Sequence, residues 1–195
     1  MTNRWTRTLL SGCVFAAVLL SMASPSEAQG FVSPLVGFNV GGDAGCQTLS
    51  GCKDKTLNVG LAFGSLGRVF GVEEEVVYAK DFFGQQPGQT SNVLTVMTRL
   101  IAGPKIKVAR PYLSAGLGLI KARVELTGAS LLSRSNNALG WDVGGGLVLS
   151  LTRHVGVRGD IRQIRAFEHV DLGPVSLSSE NLHFGRASAS LMLTF

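Results

Sequence analysis

Two glutamates separated by one residue, Glu73 and Glu75, are the best-placed candidates for acid/base chemistry in this chain. Side chains two residues apart on a strand share a face, so both carboxylates would project together. Such a pair can divide the roles of proton donor and acceptor. The alternative is structural, because Arg99 is expected at a similar depth on the neighbouring strand, and carboxylates beside an arginine are typical of a salt-bridge network. We predict the network and no catalytic residue.

The histidines offer little for metal binding. The chain has three, His154, His169 and His183. Only His169 has acidic neighbours in sequence, Glu168 and Asp171, and a weak metal site is conceivable there. Solvated polarity in a long loop is the favoured interpretation, so neither a metal nor a cofactor is predicted.

The N-terminus predicts export. Residues 1–28 place Arg4 and Arg7 before an apolar run and end in small residues, as a secretory signal peptide does. A lipid-modified Cys13 is the alternative, but the apolar run continues well past that cysteine. Residues 29–195 then form one domain, and an oxidising compartment favours a disulfide between Cys46 and Cys52 over a metal site.

The composition excludes disorder and gives no sign of nucleic-acid binding. Hydrophobic residues make up 45% of the chain and charged residues only 16%. The net charge of +5 is mild, and basic and aromatic residues do not interleave.

Eight segments alternate between apolar and polar residues with the period of a strand. In the second, for example, Leu57, Val59, Leu61 and Phe63 share one face. The eight are 31–42, 56–64, 69–79, 93–102, 110–120, 139–151, 155–164 and 183–195.

The connections between these segments alternate in length. The short links lie near 65–68, 103–108 and 152–154, and the long ones near 43–55, 80–92, 121–138 and 165–182. This pattern predicts an all-β fold, an eight-stranded antiparallel up-and-down transmembrane β-barrel with its short links on the periplasmic side.

The charges on the polar faces decide which face is inside. Four acids and four bases balance there, as a sealed interior requires. A soluble lipocalin-like carrier would instead turn these faces outward. We expect Glu73 opposite Arg99 and Asp142 close to Arg162. The interior network comprises Glu73, Glu75, Arg99, Asp142, Arg158, Asp160, Arg162 and Arg186.

Two features of the apolar faces bear on their assignment to the outside of the barrel. One charged residue departs from the apolar pattern, whereas the positions of the aromatic residues agree with it. Glu74 falls on the apolar face between Val72 and Val76, which predicts either a place near the lower interface or a bulge. Aromatic residues on the apolar faces fall near strand ends, as in the girdles of membrane barrels. They are Tyr78 and Trp141 at upper ends, and Phe63, Phe70 and Phe195 at lower ends.

The C-terminal stretch "SASLMLTF" places Ala189, Leu191, Leu193 and Phe195 on one face. We expect this last strand to pair with the first and close the barrel. Leu191, Leu193 and Phe195 also resemble the signal that the outer-membrane barrel-assembly machinery recognises.

The chain resembles the outer membrane protein beta-barrel domain family, the small OmpA/OmpX-type and opacity-like barrels. The resemblance depends on "GFNVGG", "RPYLSAGLGLI", "GWDVGGGL", "HVGVRGDIRQIR" and the closing phenylalanine. It implies an integral outer-membrane protein, and we expect a monomer in contact with membrane lipid and lipopolysaccharide. Members of the family serve in envelope integrity, adhesion or host defence.

The same resemblance suggests two activities that the residues do not favour. Related lipid A deacylases carry His-x-Ser, whereas the contexts here are His154-Val-Gly, His169-Val-Asp and His183-Phe-Gly. An eight-stranded barrel is filled by side chains, which disfavours a diffusion pore. We predict a structural, envelope-integrity or surface-binding role and no enzyme, with a lipid A-modifying enzyme or a lipocalin-like carrier as alternatives.

The long loops are the expected recognition surface. Their basic residues, Lys121, Arg123 and Arg134, are candidates for contact with lipopolysaccharide phosphates. Phe82 and Phe83 are candidates for anchoring at the membrane or on a partner.

Overall fold

Eight antiparallel strands follow one another along the chain. A computed structural model describes residues 28–42, 44, 57–82, 89–126, 133–167 and 182–195. The strands are β1 (Gln29–Val40), β2 (Leu57–Leu66), β3 (Phe70–Lys80), β4 (Gln89–Ala102), β5 (Ala109–Leu126), β6 (Ser133–Ser150), β7 (Val155–Ala166) and β8 (His183–Thr194).

The strands form a closed barrel in chain order. Each pairs with its sequence neighbours, and β1 also pairs with β8 in a register that places Val32 beside Leu193 and Val40 beside Gly185. The amide of Phe195 donates to the carbonyl of Gly30 at 3.0 Å, which continues the pairing to the last residue of the chain. The predicted fold is therefore confirmed, and closure leaves no free sheet edge.

The upper halves of β5 and β6 correct the sequence prediction. We expected a long loop over 121–138, but β5 continues to Leu126 and β6 begins at Ser133. Ala122 pairs with Asn136 within that extension. The alternation of polar and apolar residues fades there because strands above the apolar band have no lipid to face. Lys121 and Arg123 accordingly lie on a strand and not in a loop.

Apolar side chains cover the outside of the barrel, and charged side chains fill the middle of its interior. Leu113 is 73% exposed and Ile161 70%, whereas Arg99 is fully buried. A water-soluble carrier requires the reverse, so the lipocalin-like alternative is excluded. Among the described residues, no helix is long and apolar enough to cross a membrane.

Candidate functional site

The interior charge network is a cluster of four arginines and four carboxylates that occupies the middle of the barrel. All eight side chains are buried, and their formal charges sum to zero. They come from five strands: Glu73 and Glu75 from β3, Arg99 from β4, Asp142 from β6, Arg158, Asp160 and Arg162 from β7, and Arg186 from β8.

Arg99 is bound by three carboxylates. Its Nη1 lies 3.2 Å from Oε1 of Glu73, the residue directly opposite on β3. Its Nη2 donates to Oε1 of Glu75 at 2.8 Å, and its Nε donates to Oδ2 of Asp142 at 2.6 Å. Charge-assisted hydrogen bonds of this kind are about twice as strong as neutral ones.

A glycine makes the bond between Arg99 and Asp142 possible. Their strands are not neighbours, because β5 runs between them and presents Gly116 to both. A Cβ at Gly116 would lie 2.5 Å from Cγ of Arg99 and 2.9 Å from Oδ1 of Asp142. Any other side chain at this position would occupy the space that the ion pair uses. The expected approach of Asp142 to Arg162 is wrong, since Asp142 bonds to Arg99 and Arg162 bonds to Asp160.

The three remaining arginines complete the network from β7 and β8. Arg158 makes two hydrogen bonds to the Glu73 carboxylate, from Nη1 to Oε2 and from Nη2 to Oε1. Arg162 donates from Nε to Oδ1 of Asp160 at 2.5 Å. Arg186 bonds to Glu75 through Nη1 at 3.2 Å. Every carboxylate is held by at least one arginine, so the charges of the cluster neutralise one another.

Neutral polar side chains, which the sequence analysis did not select, bind the same arginines. The hydroxyl of Tyr112 accepts a hydrogen bond from Nε of Arg158 at 2.6 Å, and that guanidinium lies 4.8 Å from the Tyr112 ring centroid. Thr95 and Asn39 accept hydrogen bonds from Arg186 at 3.1 and 3.3 Å. All three lie at inward positions of the alternation, which was the signal available in the sequence.

Two apolar layers close the interior above and below the charges. In the upper layer the rings of Phe82 and Phe184 meet edge to face, with their centroids 4.8 Å apart. The upper layer also contains Val93, Met97, Ile120, Ile164 and Leu182, with alanines between them. The lower layer contains Phe31, Leu35, Ile101, Tyr112, Val148 and Met192. Phe82 is fully buried, so the expectation that it anchors the membrane or a ligand is wrong.

Glu74 points away from the interior, toward lipid. The register on both sides of it is continuous, so the structure has no bulge at this position. Its Oε2 accepts a hydrogen bond from the hydroxyl of Thr98 at 2.9 Å. It lies four positions above Phe70, the first residue of β3, which is about 10 Å along the membrane normal for a tilted strand. Since the apolar band is about 25 Å tall, the carboxylate lies well inside it, and both expectations for Glu74, a place near the lower interface and a bulge, are wrong.

Several predicted groups lie outside the described residues. They are Cys46, Cys52, Phe83, His169 and the signal peptide, apart from Ala28. Within the described ranges, no three histidine, cysteine or acidic side chains lie close enough together to hold a metal ion.

A closed barrel with an apolar outside and a charge-balanced interior is typical of outer-membrane proteins, and the family comparison agrees with it. Residues 13–195 match the sequence profile of the outer membrane protein beta-barrel domain. This chain belongs to that family. As a member of it, the protein resides in the outer membrane, and its exposed apolar belt faces lipid.

Solved structures share the fold at low sequence identity. Neisserial surface protein A superposes with a TM-score of 0.64 at 17% identity, over 87% of this chain and 100% of that one. Ail of Yersinia pestis gives 0.57 at 13% identity, over 87% and 99%. A major outer membrane protein of Thermus thermophilus gives 0.56 at 13%, over 86% and 99%. No curated protein sequence matches the chain.

Proposed function

We propose that this outer-membrane barrel neither conducts nor catalyses, and that it supports envelope integrity or surface binding through the parts of the chain at and above its upper rim. The sealed interior carries the proposal. Two apolar layers and the charge network between them occupy the described interior, and an eight-stranded barrel has room for little besides its side chains. The upper apolar layer also separates the interior charge network from the outside medium.

Planar-bilayer recording tests the closed interior. Folded protein, recognised by a shift in gel mobility on boiling, is expected to leave a lipid bilayer silent, while a general porin in the same bilayer gives steps. Stable conductance steps from the folded band would contradict the proposal. Mass spectra of lipid A from cells with and without the protein test the enzyme alternative, and identical spectra are expected.

The upper rim carries a group of basic residues suited to surface binding. This upper basic collar consists of Lys80, Lys121, Arg123 and Arg165, which lie at exposed outward positions near the upper ends of β3, β5 and β7. Ail, an attachment invasion locus protein, has been solved in complex with the heparin analogue sucrose octasulfate. We infer an anionic surface ligand for the collar of this protein, such as a sulfated polysaccharide.

Removing positive charges at the upper end of the barrel tests whether the upper basic collar binds an anionic ligand. The triple variant Lys80→Gln, Lys121→Gln and Arg123→Gln is expected to lose most of its binding to immobilised heparin, because each exposed base contributes to polyanion affinity. The matched control removes three exposed bases from the lower end, Lys105, Lys107 and Arg153. Equal loss in the two variants would mean that net charge, and not the collar, governs binding.

Assembly and oligomeric state complete the proposal. The inference is that Leu191, Leu193 and Phe195 form the signal for the barrel-assembly machinery and that the folded protein is a monomer. All three side chains are exposed at the lower end of β8. Phe195→Ser is expected to lower the amount of heat-modifiable protein in the outer membrane without changing the stability of protein refolded in vitro.

A further inference from the structure

The lipid-facing wall carries a groove across β6, β7, β8 and β1. The groove has a volume of about 580 Å³, within the range of about 300–1,000 Å³ typical of small-molecule sites. Small outward residues form its floor, where ordinary lipid-facing strands present large apolar side chains. The floor residues are Gly145, Gly159, Ala187 and Ala189.

Larger side chains flank this floor. In one row of paired residues, Ala187 lies between Ile161 of β7 and Phe38 of β1. In the next row down, Gly159 lies between Leu147 and Ala189. A Cβ built on Gly159 meets no atom within 4 Å, so the floor is open toward the membrane. The lining is almost entirely apolar.

The shape of the groove selects a flexible chain as its occupant. A second barrel wall is rigid and would rest on the protruding Phe38 and Leu147 without touching the floor. An acyl chain can bend into the groove and replace the missing side-chain contacts.

A basic residue lies where the headgroup of such a lipid would be. Arg165 is exposed at the upper rim, stacked 6.0 Å from the Trp141 ring centroid and paired with His183 of β8. From His183, the outward residues of β8 descend through Gly185 to Ala187 in the groove. Arg165 lies four residues above Ile161, about 10 Å along the membrane normal. A phosphate beside Arg165 therefore places the middle of its acyl chain at the depth of the groove.

We propose that this wall groove is a binding site for one anionic lipid of the outer leaflet, its acyl chain in the groove and its phosphate on Arg165. The proposal goes beyond the collar's role in surface binding. It concerns one site on the lipid-facing wall, and its ligand is a membrane lipid and not a soluble molecule. It depends on the outer-membrane location and not on the function proposed above.

Tryptophan quenching by brominated lipids tests the site. Trp141, the one tryptophan of residues 29–195, is replaced by phenylalanine, and a single reporter is introduced by Ile161→Trp at the groove. The matched control is Leu117→Trp, at an exposed outward leucine that is not part of the groove. Both proteins are placed in vesicles containing brominated phosphatidylglycerol or brominated phosphatidylcholine. Leu147→Trp serves as a second groove reporter.

A groove-specific preference for the anionic lipid is expected. Phosphatidylglycerol should be preferred about fivefold at the groove reporters, the effect of one basic residue on an anionic lipid. Arg165→Gln should abolish this preference at the groove reporters, and Ala187→Leu should abolish it by filling the floor. Neither change should alter the signal at Leu117→Trp, where Lys121 lies four residues above the reporter on β5. No preference at the groove reporters, persistence of the preference in Arg165→Gln, or an equal fall at Leu117→Trp would overturn the proposal. Absence of quenching by either lipid would mean that a second protein covers the groove, and would also overturn it.

Discussion

Arg99 of β4 bonds to Asp142 of β6 across an intervening strand, with 2.6 Å between Nε and Oδ2. The bond passes over Gly116, which is the only residue type that leaves space for it. Glycine weakens a strand by itself, so its presence here is explained by the ion pair that it admits. Gly116 therefore supports the interior charge network by leaving space for this ion pair.

A side chain at Gly116 is expected to disrupt this network. Gly116→Val should lower the free energy of unfolding by about 3–5 kcal/mol, because it separates buried charges from their partners. Urea unfolding in lipid vesicles measures the effect. Gly159→Val is the matched control, since that glycine faces lipid with no atom near its Cβ, and its stability should change little. Equal losses would mean that strand glycines matter for backbone reasons alone.

The coupling between Arg99 and Asp142 can be measured with a double-mutant cycle. Arg99→Met leaves three carboxylates without their shared cation and should cost about 3–5 kcal/mol. Asp142→Asn should cost less when Arg99 is already methionine, with an interaction energy above about 1 kcal/mol. Strict additivity in the unfolding experiment would show that the two side chains do not interact in the folded barrel.

A further prediction concerns the contribution of the upper apolar layer to the stability of the barrel. Phe184→Ala creates a cavity beside Phe82 and should cost about 3–5 kcal/mol. Phe38→Ala, the same change on the lipid-facing side, leaves space that lipid can fill and should cost clearly less. Unfolding of both variants in vesicles gives the comparison. A cost for Phe38→Ala as large as that for Phe184→Ala would contradict the assignment of a packed upper layer.

The fold could be predicted because strand alternation continues wherever one face meets lipid and the other meets the interior. The segment from Leu57 to Phe63 shows this pattern and lies in β2 as expected. The pattern failed at Lys121 and Arg123, where β5 has left the apolar band and both faces are polar. Without an apolar face, an extended strand and a loop have the same composition.

The members of the interior charge network were visible in the sequence, but several of their partners were not. Glu73 and Arg99 lie at equal depth on adjacent strands, which register alone predicts. Asp142 was expected beside Arg162, because nothing in the sequence shows that an arginine can cross β5 at a glycine. Tyr112 and Thr95 were missed because the sequence does not distinguish an uncharged inward side chain that binds an arginine from one that only packs in the interior. The signal peptide and the Cys46–Cys52 disulfide stay predictions.

The central claim is that the charged side chains face the barrel interior and the apolar side chains face the membrane lipid. Two adjacent glutamates test this claim most directly. Glu74 faces lipid beside Thr98, and Glu75 is held by Arg99 and Arg186 in the interior. The measurement is the free energy of unfolding of Glu74→Leu and Glu75→Leu in lipid vesicles. Glu74→Leu should stabilise the barrel by about 1–3 kcal/mol, because it removes a carboxylate from hydrocarbon. Glu75→Leu should destabilise it by about 3–5 kcal/mol, because it leaves buried Arg186 without its carboxylate and removes one of the three carboxylates that bind Arg99. Changes of the same sign in both variants would contradict the inside and outside faces assigned to the barrel.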